Sequence, residues 1–140
     1  MKKTLLIGAF LSLFSLTSNA QEFITVKGNE FYKNGKPYHY IGTNYWYGSL
    51  IGTKDGDRKR LKKELDELKA NGITNLRILV GAEGGKQDFT VTPALQSQQG
   101  KYDENLLDGL DYLLSEMGKR NMDAVLYLNN NWEWSGGMAQ

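Results

Sequence analysis

Asn71-Gly72-Ile73-Thr74-Asn75-Leu76-Arg77-Ile78-Leu79-Val80 is the stretch on which the fold turns. ITNLRILV, residues 73–80, is short, rich in branched apolar residues and bounded by Gly72 and Gly81. That pattern predicts a buried strand. Just before it, Leu61, Leu65 and Leu68 recur at helical spacing among Lys, Arg and Glu. They form the single apolar stripe of an amphipathic helix. The polar run Asp55-Gly56-Asp57 offers this helix a cap, and Asn71-Gly72 stops it as a left-handed C-terminal cap does. A helix that runs straight into a buried strand is half of a βαβ unit, so each flank should supply another strand.

Both flanks do. On the C-terminal side, residues 81–100 hold Gly84-Gly85, Pro93 and several Gln residues, and read as a long loop. Loops of that length in a compact domain are usually functional. Leu106, Leu107, Leu110, Leu113, Leu114 and Met117 then mark a second helix over 103–120, ended by Asn121. MDAVLYL, residues 122–128, is the next apolar strand, and Asn129-Asn130-Asn131-Trp132-Glu133-Trp134-Ser135-Gly136-Gly137 follows as a loop. On the N-terminal side, residues 40–44 read as the first strand of the main sheet. Ahead of them, Asn34-Gly35 joins residues 23–32 to residues 36–38 as a β-hairpin. The order hairpin, β, α, β, α, β predicts an α/β fold, a parallel sheet with helices packed outside it. Three strands and two helices would leave one sheet face poorly covered and both edges open. The chain is therefore expected to be part of a larger domain. A complete small three-stranded α/β domain is the alternative.

Met1-Lys2-Lys3, an apolar run over residues 5–16 and Ser18-Asn19-Ala20 fit the three parts of a secretory signal peptide cut after Ala20. The run is too short for a bilayer span, which needs about 20 residues. Residues 1–20 are thus expected to be a leader, and residues 21–140 to be secreted or periplasmic and free of the membrane. The formal charge of +1 becomes −1 once Lys2 and Lys3 are lost. Such a balance makes no case for binding nucleic acid. The chain has no cysteine and one histidine, His39. Disulfides, thiolate chemistry and a histidine-rich metal site are excluded within it, and no cofactor is expected.

Parallel α/β folds place their sites where strands end and loops begin. The first strand exits through Tyr45-Trp46-Tyr47, three successive rings that could form a stacking platform. Flat sugar faces carry C–H groups that pack well on such rings. Arg77 interrupts the apolar second strand. It either points into the mouth of the sheet, where it could keep a carboxylate ionised, or forms a structural ion pair with a sheet neighbour. The third strand ends in amides and tryptophans. Amides suit sugar hydroxyls, but an Asn-rich turn over packed tryptophans reads equally well. Glu133 reads as a solvated loop acid, His39 as structural, and Glu83 and Asp88 have no evident partner. No phosphate-binding loop is present: residues 81–85 lack the spacing and the Lys-Ser/Thr.

Asn34-Gly35-Lys36-Pro37, Gly42-Thr43-Asn44-Tyr45-Trp46, Leu76-Arg77-Ile78 and Leu128-Asn129-Asn130-Asn131-Trp132 with Gly136-Gly137 occur in this order. Together they resemble the endo-β-1,4-mannanases of glycoside hydrolase family five, over nearly the whole of residues 21–140. The resemblance implies a TIM (β/α)8 barrel, of which this chain supplies the N-terminal portion of about three βα units. It implies retaining hydrolysis of β-1,4-mannosidic bonds by two glutamates about 5 Å apart. In the family one glutamate ends the fourth strand and the other the seventh, so both are expected beyond Gln140, and residues 1–140 alone are expected to be inactive. Arg77 matches the family's second-strand arginine beside the nucleophile. Trp46 matches an aromatic lining the sugar cleft, and Asn130 and Trp132 fall in the third-strand loop as substrate-binding candidates. Asparagines at the third strand end, where related enzymes often carry histidine, point to the mannanase branch. The implied partner is a polysaccharide: β-mannan, glucomannan or galactomannan. A non-catalytic carbohydrate-binding protein or an inactive hydrolase relative is the competing reading. A flavodoxin-like domain is disfavoured by the missing phosphate loop.

Overall fold

The computed structural model describes residues 23–84, 88–128 and 130–137. The predicted leader, residues 1–20, lies outside them. The chain divides into two compact units, Met1–His39 and Tyr40–Gln140.

The first unit is a three-stranded antiparallel meander: β1 (Thr25–Lys27), β2 (Glu30–Lys33) and β3 (Lys36–Pro37). Residues 23–32 are therefore two strands, not the single arm read from their loose alternation. Gly28, at φ 63°, turns the chain between Lys27 and Glu30. The predicted Asn-Gly turn is present: Asn34 and Gly35 both have positive φ, 55° and 71°. A two-residue turn of type I′ requires that sign at both central positions.

The second unit is a parallel sheet in the order β4 (Gly42–Asn44), β5 (Asn75–Leu79), β6 (Asp123–Tyr127). A four-residue helix α1 (Gly48–Ile51) and the longer α2 (Arg58–Ala70) join β4 to β5, and α3 (Glu104–Lys119) joins β5 to β6. β5 and β6 are shorter than their apolar runs because the first residue of each run is spent on a helix stop. Ile73 N–H returns to Leu68 O at 3.0 Å, closing α2 before the strand begins. Asp57 caps α2 by accepting the N–H of Arg60, and Asp103 caps α3 by accepting those of Asn105 and Leu106.

Alternation along β5 sorts the side chains. Leu76 and Ile78 face the helices and are fully buried, together with Leu61, Leu65, Leu113 and Met117. Burying each such side chain stabilises the fold by about 1.5–3 kcal/mol. Arg120, at the end of α3, ties the helices together: its Nε donates to Asp66 at 2.7 Å and one terminal nitrogen donates to the buried Glu116 at 2.8 Å. On the other sheet face Asn44, Arg77 and Val125 share one register row, with Leu79 and Tyr127 forming a row further on. That face bears the site. Among the described residues, β6 is followed by a single 3-10 turn (Glu133–Ser135) and not by a third long helix.

Candidate functional site

The carboxyl ends of β4, β5 and β6 bring together three of the four residues singled out in the sequence, with Arg77 on the adjoining sheet face. The aromatic run at the β4 exit does not act as one platform. Tyr45 is buried on the helix side, 3% exposed, and donates to Glu64 at 2.6 Å. Tyr47 donates to the same carboxylate at 3.1 Å, and Arg60 closes the cluster from one helical turn away at 2.6 Å. Burial raises the Glu64 pKa, but the donors Tyr45, Arg60 and Tyr47 outweigh it and hold the carboxyl below its ordinary value. The same contact pushes Tyr45 up: first burial, then its bond to Glu64, opposes loss of the phenol proton. These two rings anchor the β4 exit. Only Trp46, between them, turns to the loop side, where the chain leaves β4 in a turn at residues 46–47.

Trp46 meets Trp134 edge-on, with ring centroids 4.7 Å apart. Trp134 in turn lies 5.8 Å from Trp132. The three rings form a chain that runs from a packed base to an exposed tip. Trp134 and Trp46 sit on a small apolar cluster of Leu79, Ala82, Val91 and Ala94. Trp132 is 68% exposed. T-shaped and tilted ring pairs at these separations are favourable contacts.

Arg77 lies on the face opposite Leu76 and Ile78 and is exposed. Its guanidinium stacks 3.7 Å above the Tyr127 ring and donates to Asn44 Oδ1 at 3.5 Å. Its contacts among the described residues are thus an amide and a ring, not an anion. Of the two readings of this arginine, the sheet-neighbour ion pair is the one these contacts do not support. Asn130 does not extend a free amide. Its Oδ1 accepts from Trp132 N–H at 2.9 Å and from Ser135 Oγ at 2.7 Å. Glu133 opens the 3-10 turn in an exposed position.

The described parts of the long loop, residues 81–84 and 88–100, hold on to this site. Val91 N–H donates to Trp134 O at 2.8 Å, Glu83 N–H donates to Ser135 O at 3.2 Å, and Glu83 bridges Gln96. Sequence reasoning left Tyr127, Trp134 and Ser135 without roles in the site. Strand register places Tyr127 on the face of Arg77, one row further on, but register could not be read from either strand alone. Chemically, the face offers a cation, amides and an aromatic chain. It can stack a ring and hold hydroxyls or an anion.

Comparison with known proteins gives a consistent picture. The family model described as GH family 5 beta-mannosidase-like matches residues 21–140. A mannan endo-1,4-beta-mannosidase 3 of Solanum lycopersicum is 29% identical over 140 residues, covering 99% of this chain and 33% of the relative. The glycoside hydrolase family 5 mannosidase of Rhizomucor miehei, solved as an E202A mutant with mannosyl-fructose, is 40% identical at a TM-score of 0.77, covering 82% of this chain and 29% of that one. The endo-1,4-beta-mannanase of the same organism is 26% identical at a TM-score of 0.62, covering 83% and 32%. The chain thus spans about a third of the length of these relatives.

Proposed function

Because this chain belongs to the beta-mannosidase-like group of glycoside hydrolase family 5, we propose that it supplies about three βα units of a (β/α)8 barrel that hydrolyses β-1,4-mannosidic bonds with retention. The observation that carries this reading is a chain of three tryptophans at the end of a parallel sheet whose adjoining face bears Arg77, an arginine without an anionic partner among the described residues. Trp46 and Trp132 take the C–H faces of successive sugars. Arg77 keeps a nearby carboxylate ionised so that it can attack the anomeric carbon. The two catalytic glutamates are carried by later strands of the barrel. Mannan, glucomannan and galactomannan are the substrates this cleft would take, and the leader over residues 1–20 sends the protein outside the cytoplasm.

A second reading, release of single mannose units from chain ends, is favoured by one observation. Over similar shares of the chain, identity to the Rhizomucor mannosidase exceeds identity to the endo-mannanase, 40% against 26%. One experiment addresses all of this. The protein is purified as its source produces it, its N-terminus is sequenced, and it is given β-1,4-mannan with cellulose as control. The proposal expects Gln21 at the N-terminus, mannan cleavage without cellulose cleavage, and a first product of β configuration by NMR. Oligosaccharide products indicate internal cleavage, and mannose alone indicates the second reading. An intact mannan would sink both. Arg77→Ala is expected to lower kcat by about a hundredfold, the loss typical of one electrostatic group at a reacting centre, with a much smaller change in KM. Residues 1–140 alone are expected to release no reducing sugar.

A further inference from the structure

Ser135 is fully buried in a loop whose residues 131–133 are exposed. Its hydroxyl donates to Asn130 Oδ1 at 2.7 Å, and the same oxygen accepts the N–H of Trp132 at 2.9 Å. A side-chain carbonyl oxygen has two lone pairs, so both are occupied within the loop. The carbonyl of Trp132 is held as well: Ser135 N–H and Gly137 N–H both donate to it at 3.1 Å. The backbone of Trp132 is thus clamped on both sides of its Cα while its indole stands 68% exposed. The loop as a whole is fastened beneath it, through Val91 N–H to Trp134 O at 2.8 Å and Glu83 N–H to Ser135 O at 3.2 Å. Gly136 permits this closeness: a Cβ there would meet the Cβ of Glu83 at 2.9 Å.

We propose that Asn130 and Ser135 are positioning residues, a two-bond staple that presents the Trp132 indole as a pre-set stacking platform for one pyranose ring. The proposal rests on the reading of this face as a β-mannoside cleft. It changes the part played by Asn130, whose carbonyl serves the loop and not a sugar hydroxyl. The physical reason for such a staple is entropy. An exposed tryptophan on a mobile loop must be ordered when sugar binds. Ordering it in advance removes that cost from the binding step.

The chain's three tryptophans are Trp46, Trp132 and Trp134, and all three belong to this cluster. The part of the near-ultraviolet tryptophan bands that Trp132→Ala removes reports this platform, whatever tryptophans stand elsewhere in the protein. The experiment compares Ser135→Ala, Asn130→Ala and Asn130→Asp, each alone and combined with Trp132→Ala. It reads the tryptophan bands and the affinity for β-1,4-mannotriose. Ser135→Ala and Asn130→Ala are expected to diminish the bands and to weaken affinity by about three- to tenfold, the equivalent of ordering one side chain. Asn130→Asp keeps the accepting oxygen and should recover most of the affinity. With Trp132 already replaced, the same changes should cost nothing further, because a residue that acts through another shows no independent effect. Losses that add fully in the Trp132→Ala background would overturn the proposal and make Asn130 a direct sugar ligand. Unchanged bands and affinity in Ser135→Ala would overturn it too. If the unaltered protein binds no manno-oligosaccharide, the mannoside reading falls, and the bands of Ser135→Ala alone decide whether the staple exists.

Discussion

The guanidinium of Arg77 sits over the ring of Tyr127, 3.7 Å from its centroid, and the two stand on neighbouring strands. A cation over a ring at a partly solvated site contributes about 0.5–1 kcal/mol. Tyr127→Leu should therefore lower stability by about that amount in urea unfolding, and Tyr127→Phe, which keeps the ring, should lie within a few tenths. If the two variants are equally destabilised, the hydroxyl and not the ring face is what Arg77 uses. Arg77 illustrates what a sequence can and cannot disclose about a residue. A lone charge inside LRILV is visible at once as anomalous. Its partners Asn44 and Tyr127 are not, since they belong to other strands and become neighbours only when the register is set. Tyr45-Trp46-Tyr47 shows the same gap. Three adjacent rings mark a strand exit, but the backbone sends two of them to Glu64 and one to Trp134. Composition does not say which side is which.

At the scale of elements, α2 and α3 were legible because each carries an unbroken apolar period, and β5 because its run is apolar on both sides of Arg77. The four-residue α1 was not, because its cap position, Tyr47, makes no side-chain capping bond. Its place is set by contact with α3. A Cβ on Gly109 of α3 would run into the carbonyl of Ser49 and would stand 2.9 Å from the N of Thr53. Gly118 in the same helix faces open space. The pair makes a controlled comparison. Alanine raises intrinsic helix propensity by about 1 kcal/mol at either position. Gly118→Ala should realise most of it, stabilising the protein by about 0.4–1 kcal/mol. Gly109→Ala should lose it to overpacking and destabilise by about 1–3 kcal/mol. Thermal unfolding of the two variants checks both signs. A stabilised Gly109→Ala would mean that α1 gives way easily and does not hold the β4 exit in place.

At the scale of the whole chain, residues 1–140 carry a formal charge of only +1, so charge repulsion among them changes little near neutrality. The pH dependence of stability should then come from a few buried pairs. Glu64 is held below its ordinary value of 4.5 by Tyr45, Arg60 and Tyr47, against the upward push of burial. Glu116 is held below the same value, first by Lys119 and then by Arg120. A carboxyl whose folded pKa is depressed contributes stability above its unfolded value, and that contribution disappears as pH falls through the folded value. Stability should therefore decline below about pH 4.5. Tyr45 works at the other end. Its pKa is raised above the ordinary 10.0 by burial and by Glu64, so its contribution is full below pH 10 and is lost as pH rises beyond it. Urea midpoints taken across the range should show a plateau with an acid limb and an alkaline limb. Glu64→Gln should lower the plateau and shallow the acid limb, leaving the share due to Glu116. Tyr45→Phe should shallow the alkaline limb, leaving the share due to Tyr47, whose pKa is raised by burial and by the same Glu64, and should move the acid limb only part of the way, because Arg60 and Tyr47 still hold Glu64. An acid limb unaltered in Glu64→Gln would place the acid sensitivity elsewhere, with Glu116, which holds the Arg120 that reaches Asp66 of α2, as the next group to release.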